Sequence, residues 1–258
     1  MNPQTESLNP LAEAIRKVSP VLLAAMLPLA ALAASPVAVK YVSLEDAHAE
    51  VIRRYLGTLE AQSAAERCAD VEVTIQARLP KLNRQAFLRA LRSTSGKGRV
   101  SYQALDASGD SMVRREVIAR YLTAEGQAPE MDGIAVTPSN YRFRFVRIVE
   151  QAGRWVHIFQ LSPTRKRVGL FKGELWLDGQ TGLPVQESGQ LVSNPSIFVR
   201  RITFLREYQA RDGIAIPDRY AITVETRLMG RAEVNVQFNN YVTRAAQGSA
   251  GEADGTCP

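Results

Sequence analysis

Leu170-Phe171-Lys172-Gly173-Glu174-Leu175-Trp176-Leu177-Asp178-Gly179-Gln180-Thr181-Gly182-Leu183-Pro184-Val185-Gln186-Glu187-Ser188-Gly189-Gln190-Leu191-Val192-Ser193 is the stretch whose reading decides the fold. Two strand-like runs flank the cluster Asp178-Gly179-Gln180-Thr181-Gly182, and Pro184 opens the second run. Glycine supplies positive φ, and an aspartate bonds its own backbone two residues on, so the cluster predicts a β-hairpin. Similar runs continue to Tyr241 with no catalytic motif among them. The chain is therefore expected to hold something rather than transform it.

On the N-terminal side, Val71, Val73, Ile75, Ala77 and Leu79 alternate with Glu72, Thr74, Gln76 and Arg78, the period of a half-buried strand. Phe87, Leu88 and Leu91 suit a helix, but the neighbourhood favours a strand over Asn83–Arg92. Arg99–Leu105 is another strand, ended by Asp106–Asp110. Two helices are expected. Leu44–Arg67 carries Val51, Ile52, Tyr55, Leu56 and Leu59 at helical spacing, with Ser43 as cap; Met112–Thr123 is a short amphipathic helix. A polar connection, 124–139, follows.

From Asn140 onward the reading is almost wholly β. Tyr141, Phe143 and Phe145 alternate with Arg142 and Arg144, and Trp155–Leu161 is apolar on both faces. Beyond the hairpin, Ile202, Phe204 and Tyr208 share a face; Ile222, Val224 and Leu228 form the next, and Val234, Val236 and Phe238 the last. The fold class is α+β: a large curved antiparallel sheet of about ten to eleven strands, an open β-barrel with the long helix and the short helix as lid. Such a sheet leaves an apolar cavity as a natural expectation. Its candidate lining is Val73, Ile75, Phe143, Phe145, Ile202, Phe204, Val234 and Val236, residues of the type that also fill an ordinary core.

Among 258 residues, 45% are hydrophobic and 22% charged, which fits a globular chain and argues against gross disorder. Arg16 and Lys17 precede an apolar run, Val18–Ala34, that ends in Ala31-Leu32-Ala33. This pattern predicts an export signal over 1–33 cleaved after Ala33. The competing reading is an uncleaved anchor, for which the run falls short of the ~20 residues a membrane helix needs. A linker (34–43), one domain (44–243) and a disordered Gly/Ala/Ser-rich tail (244–258) complete the expected organisation. The net charge is +6, and losing 1–33 removes two basic and two acidic residues and leaves it unchanged. A basic exported chain favours anionic headgroups or stays soluble by its charge, and nucleic acid is not expected in that compartment. Cys68 and Cys257 either bridge or stay apart, the second lying in the tail.

Catalytic and metal patterns are missing from the sequence. His48 falls on the polar side of the first helix and His157 inside a strand, neither with ligands at metal spacing. There is no Gly-x-Ser-x-Gly elbow, and Ser95-Gly96-Lys97-Gly98-Arg99 lacks the spacing of a phosphate loop. Glu174 and Asp178 flank Trp176 in one strand and read as surface carboxylates. Arg165-Lys166-Arg167 and Arg200-Arg201 are exposed charge, or contacts to anionic headgroups or a partner. No enzyme activity, cofactor or metal is expected.

The hairpin wording Gly173-Glu174-Leu175-Trp176-Leu177-Asp178, then Thr181-Gly182-Leu183-Pro184-Val185, resembles that of the periplasmic LolA/LolB-like lipoprotein-sorting superfamily. Val117–Leu122, Lys166–Trp176 and Thr226–Glu233 look like an uncharacterised family of exported bacterial proteins with this fold. The resemblance spans about Leu44–Tyr241. It implies a half-barrel with a helical lid and a periplasmic location. It also implies lipid or lipoprotein acyl chains as ligands, with peripheral membrane contact. The same fold serves in envelope-stress regulators, so the alternative is an interaction or stress-sensing module with an envelope protein partner, in which the cavity is only core.

Overall fold

The computed structural model describes residues 44–67, 69–126, 133–227 and 230–243. The expected signal, linker and tail, both cysteines, Ser43 and Leu228 lie outside the described residues. Helix α1 (Leu44–Glu66) leads into β1 (Ala69–Leu79), a single 3-10 turn (Pro80–Leu82), β2 (Arg84–Thr94) and β3 (Val100–Gly109). A helical connection follows: α2 (Ser111–Val113), a wider π-type turn (Arg114–Ile118) and α3 (Ala119–Gly126). The chain then runs through β4 (Tyr141–Gln151), β5 (Arg154–Pro163), β6 (Phe171–Asp178), β7 (Pro184–Leu191), β8 (Val199–Arg211), β9 (Ile214–Thr226) and β10 (Arg231–Thr243).

The ten strands form one sheet in the order β3-β2-β1-β10-β9-β8-β7-β6-β5-β4, and every neighbouring pair is antiparallel. The chain walks outward from β1 to one edge, crosses by the helical connection to the other edge, and returns by hairpins until β10 pairs with β1. Register shifts at Asp70/Glu72, Arg89/Ala90, Phe145/Arg147, Trp176/Leu177, Val199/Arg201 and Glu207/Tyr208 bend the strands of this open, curved sheet.

The quoted hairpin forms as its residues dictate. One carboxylate oxygen of Asp178, which is buried, accepts from Gln180 N (3.0 Å), Thr181 N (2.8 Å) and Thr181 Oγ1 (2.9 Å). Gly182 has φ +76°, and a Cβ there would lie 2.7 Å from Tyr55 N, so the turn is held against α1. Gly173 and Gly189 face each other across β6 and β7, where a Cβ on Gly173 would fall 1.9 Å from Ser188 O.

The period-two reading of β1 holds: Val71, Val73, Ile75, Ala77 and Leu79 are buried. So does the choice of a strand at β2, where Ala86, Leu88 and Ala90 are buried and Phe87 and Arg89 exposed. Strand β3 runs beyond its expected end, because pairing with β2 continues to Ala86↔Gly109. Asp110 is not part of a turn cluster but the helix cap, its carboxylate accepting from Val113 N at 3.0 Å.

Candidate functional site

Strand register places one continuous row of side chains across the sheet: Ala107, Leu88, Ile75, Val236, Tyr220, Arg206, Glu187, Leu175, Phe159 and Phe145 stand successively opposite one another. A second row on the same face runs Ala86, Ala77, Val234, Ile222, Phe204, Gly189, Gly173, Leu161 and Phe143. Val73 and Ile202, two residues along β1 and β8 from Ile75 and Phe204, point to this face as well. All eight expected lining residues therefore share the helix-covered face. They do not share an environment.

Val73, Ile75, Val234 and Val236 are 0–3% exposed and belong to a cluster closed by Val113, Val117 and Ile118 of the helical connection. This half of the face is a sealed core. Phe143, Phe145, Ile202 and Phe204 are only half-buried. Phe143, Phe145 and Phe204 pack beneath α1, whose Ile52, Leu56 and Leu59 are themselves half-buried. The same half also holds fully buried residues: Val51 and Tyr55 of α1 are 3% exposed, and Phe159, Leu161 and Leu175 of the sheet 0–1%. The four candidates on β1 and β10 are buried within the hydrophobic cluster closed by the helical connection.

Between the halves lies a polar band absent from the expected apolar cavity. Arg206 Nη1 donates to Glu187 Oε2 at 3.4 Å, and its guanidinium carbon sits 4.9 Å from the Phe204 ring centre and 5.3 Å from that of Tyr220. Arg92 Nε donates to Glu125 Oε1 at 2.9 Å, and Tyr102 Oη donates to the other oxygen of that carboxylate. Burial alone would lower the Arg92 pKa, but the charge and hydrogen bond of Glu125 together with Tyr102 and Tyr220 outweigh this and the pKa is raised. Burial raises the Glu66 carboxyl, against the pull of Arg92 and Arg206. Burial also pushes Tyr241 up to about 12. A recess of about 40 Å³ among Glu66, Arg92, Glu125, Tyr220 and Tyr241 has room for water and little more.

Helix α1 is held over its half by polar clips. Gln62 Nε2 donates to Ala215 O while Ala215 N donates to Gln62 Oε1. Arg54 Nη1 donates to Gln180 O at 2.7 Å, and Tyr241 Oη to Ala65 O at 2.8 Å. At the other end of the helix His48 stacks on Phe145 with ring centres 3.4 Å apart, and its Nδ1 lies 3.3 Å from His157 Nδ1. His48 is thus turned to the sheet, not to the polar side. Burial lowers both histidine pKa values, and the neighbouring His48 charge lowers His157 further against Asp178. Sequence offered no signal for this meeting of residues 109 positions apart.

A cleft of about 540 Å³ lies beside His157, lined by Ile148, Arg154, Trp155, Asp178 and Gln180. None of the eight expected lining residues faces it. Asp178 serves the hairpin turn, and Glu174 accepts from the Trp176 indole at 3.0 Å, so the two carboxylates are engaged in structure. Among the described residues no group of three His, Cys, Asp or Glu is arranged to hold a metal ion.

No protein-family model matches the chain, and no curated protein matches it. Solved structures do. One is a LolA superfamily protein from Nitrosomonas europaea, with TM-score 0.40 and 13% identity over 72% of this chain and 93% of that one. A DUF1329 family protein from Desulfovibrio piger has TM-score 0.40 and 11% identity over 77% of this chain and 95% of that one. An outer membrane lipoprotein-sorting protein domain from Vibrio parahaemolyticus has TM-score 0.35 and 12% identity over 75% and 93%. The strand order and register, not these likenesses, carry the fold. Among the described residues no helix is long and apolar enough to cross a membrane.

Proposed function

We propose that this is a non-catalytic, exported envelope protein that takes an acyl chain of a lipid or lipoprotein between α1 and the sheet. The observation that carries the reading is the apolar layer beneath α1, which is buried at Val51 and Tyr55 and part-exposed at its other apolar residues. There Phe143, Phe145 and Phe204 on the sheet, and Ile52, Leu56 and Leu59 on the helix, keep part of their surface in water. Each acyl methylene buried there contributes ~0.8 kcal/mol, so ten supply about 8 kcal/mol before the cost of ordering.

The second reading, an interaction or stress-sensing module with an envelope protein partner, is favoured by the sealed half, since four of the eight expected lining residues already have all the apolar company they need. The two readings separate in one experiment. Protein purified from a bacterial envelope carries co-extracted lipid by native mass spectrometry and takes up a fluorescent fatty acid. Phe145→Ser and Phe204→Ser each weaken uptake about tenfold, while Val234→Ala leaves it unchanged. Uniformly lipid-free protein that ignores the probe, together with a partner captured by crosslinking, sinks the acyl reading and leaves the second.

A further inference from the structure

The antiparallel order brings four connections to one end of the sheet: β1–β2 (80–83), β5–β6 (164–170), β7–β8 (192–198) and β9–β10 (227–230). They contain Lys81, Arg165, Lys166, Arg167 and Arg227 and no acidic residue. Strand-start residues Arg200 and Arg201 add to them and are exposed. Among the described residues, no ion pair engages any of these seven cations. The same connections carry large apolar side chains in solvent: Ile197 is 80% exposed, Phe198 56%, Leu82 48% and Val168 43%.

The most exposed pair is held outward by its backbone. Arg227 N donates to Phe198 O at 3.0 Å and Arg227 Nε to Ile197 O at 2.9 Å. Phe198 N donates to Ser196 Oγ, and Asn194 Nδ2 to Arg200 O. A bonded loop that presents two bulky apolar groups to water gains nothing from folding alone. Its exposure needs a partner.

We infer that this end of the sheet docks on an anionic lipid bilayer, with Ile197 and Phe198 entering the interface and the arginines meeting lipid phosphates. Strands lie 4.7–4.9 Å apart, so loop tips at every second strand recur about every 10 Å and span roughly 30 Å. Apolar tips so spaced, on separate convex loops, suit a fluid planar layer that needs no matching holes. A protein partner would have to supply a socket for each tip. The five cationic side chains of these connections, in segments that hold no acidic residue, complement the phosphate surface, while Arg201 stands opposite Glu225. The inference is independent of whether the opposite, helix-covered part of the molecule holds an acyl chain.

Co-sedimentation of the full chain with vesicles tests it, using phosphatidylcholine alone and phosphatidylcholine with roughly one-third phosphatidylglycerol. Wild type binds the anionic vesicles and releases them at high salt. The double variant Ile197→Ser/Phe198→Ser binds about tenfold more weakly, and so does Arg200→Gln/Arg201→Gln. Ile148→Ser, exposed elsewhere on the sheet, binds as wild type. All variants share the same N-terminal segment, so differences read the loops, and unchanged melting temperatures confirm folding. Equal binding to both vesicle types, binding indifferent to the loop variants, or capture of an acidic protein by this end without vesicle binding would each overturn the proposal. Loss of fatty-acid uptake with vesicle binding intact would sink the acyl reading and leave this one standing.

Discussion

The two halves of the helix-covered face use the same residue types to different ends. Under the helical connection, Val73, Ile75, Val234 and Val236 interlock with Val113, Val117 and Ile118 and exclude water. Under α1, Val51 and Tyr55 are buried against the sheet, Phe143, Phe145 and Phe204 and the helix's Ile52, Leu56 and Leu59 are half-buried, and hydrogen bonds tie the helix at Arg54 and Ala65. Short β-branched side chains on β1 and β10 let a helix approach closely. The difference teaches that an apolar sheet face is core or binding surface according to how closely its cover fits, which hydrophobicity alone does not report.

The sharpest way to break this contrast is paired truncation. Ile75→Ala is expected to cost about 3–4 kcal/mol in urea unfolding, as in a sealed core, and Phe145→Ala only about 1–2 kcal/mol. Equal costs would mean that the α1 half is as closed as the other. Next is the polar band. Arg92→Met leaves Glu125 and Tyr102 without their cation. With both partners of the ion pair 19% exposed, the expected loss is about 2 kcal/mol, less than the ~3–5 of a fully buried pair.

The smallest effect concerns α1 alone. His48 and His157 have folded pKa values below the ordinary 6.5, so the stability they contribute is complete above that value. It is lost as pH falls from there through the lowered folded values, where both rings charge and repel. Amide exchange in the first turns of α1 therefore quickens between about pH 7 and pH 5, while β1 and β10 stay protected. His48→Phe, which keeps the stack on Phe145, removes the pH dependence. Exchange in α1 that ignores pH in the wild type would show that the histidine contact does not hold the helix.

Much of the architecture was legible because it is written in neighbours. The alternation of β1, the turn chemistry of Asp178 and Gly182 and the helical spacing of Val51, Tyr55 and Leu59 are local signals, and each element formed where they placed it. The end of β3 was missed because Asp106–Asp110 resembles a turn, whereas β2 offers pairing as far as Gly109. The candidate face was legible as a face, since period two dictates which residues point together. Its division was not.

Sequence by itself determined the alternation, the hairpins and the large antiparallel sheet, because backbone propensities and the two-residue period act within a few positions. Only the tertiary structure decided that Tyr220, Arg206 and Glu187 cut the apolar row in two, that His48 meets His157, and that the candidates on β1 and β10 are buried while those on β4 and β8 are half-buried. Those outcomes depend on the register between distant strands and on the distance at which each helix settles, quantities set by the packing of the whole chain rather than by any segment of it.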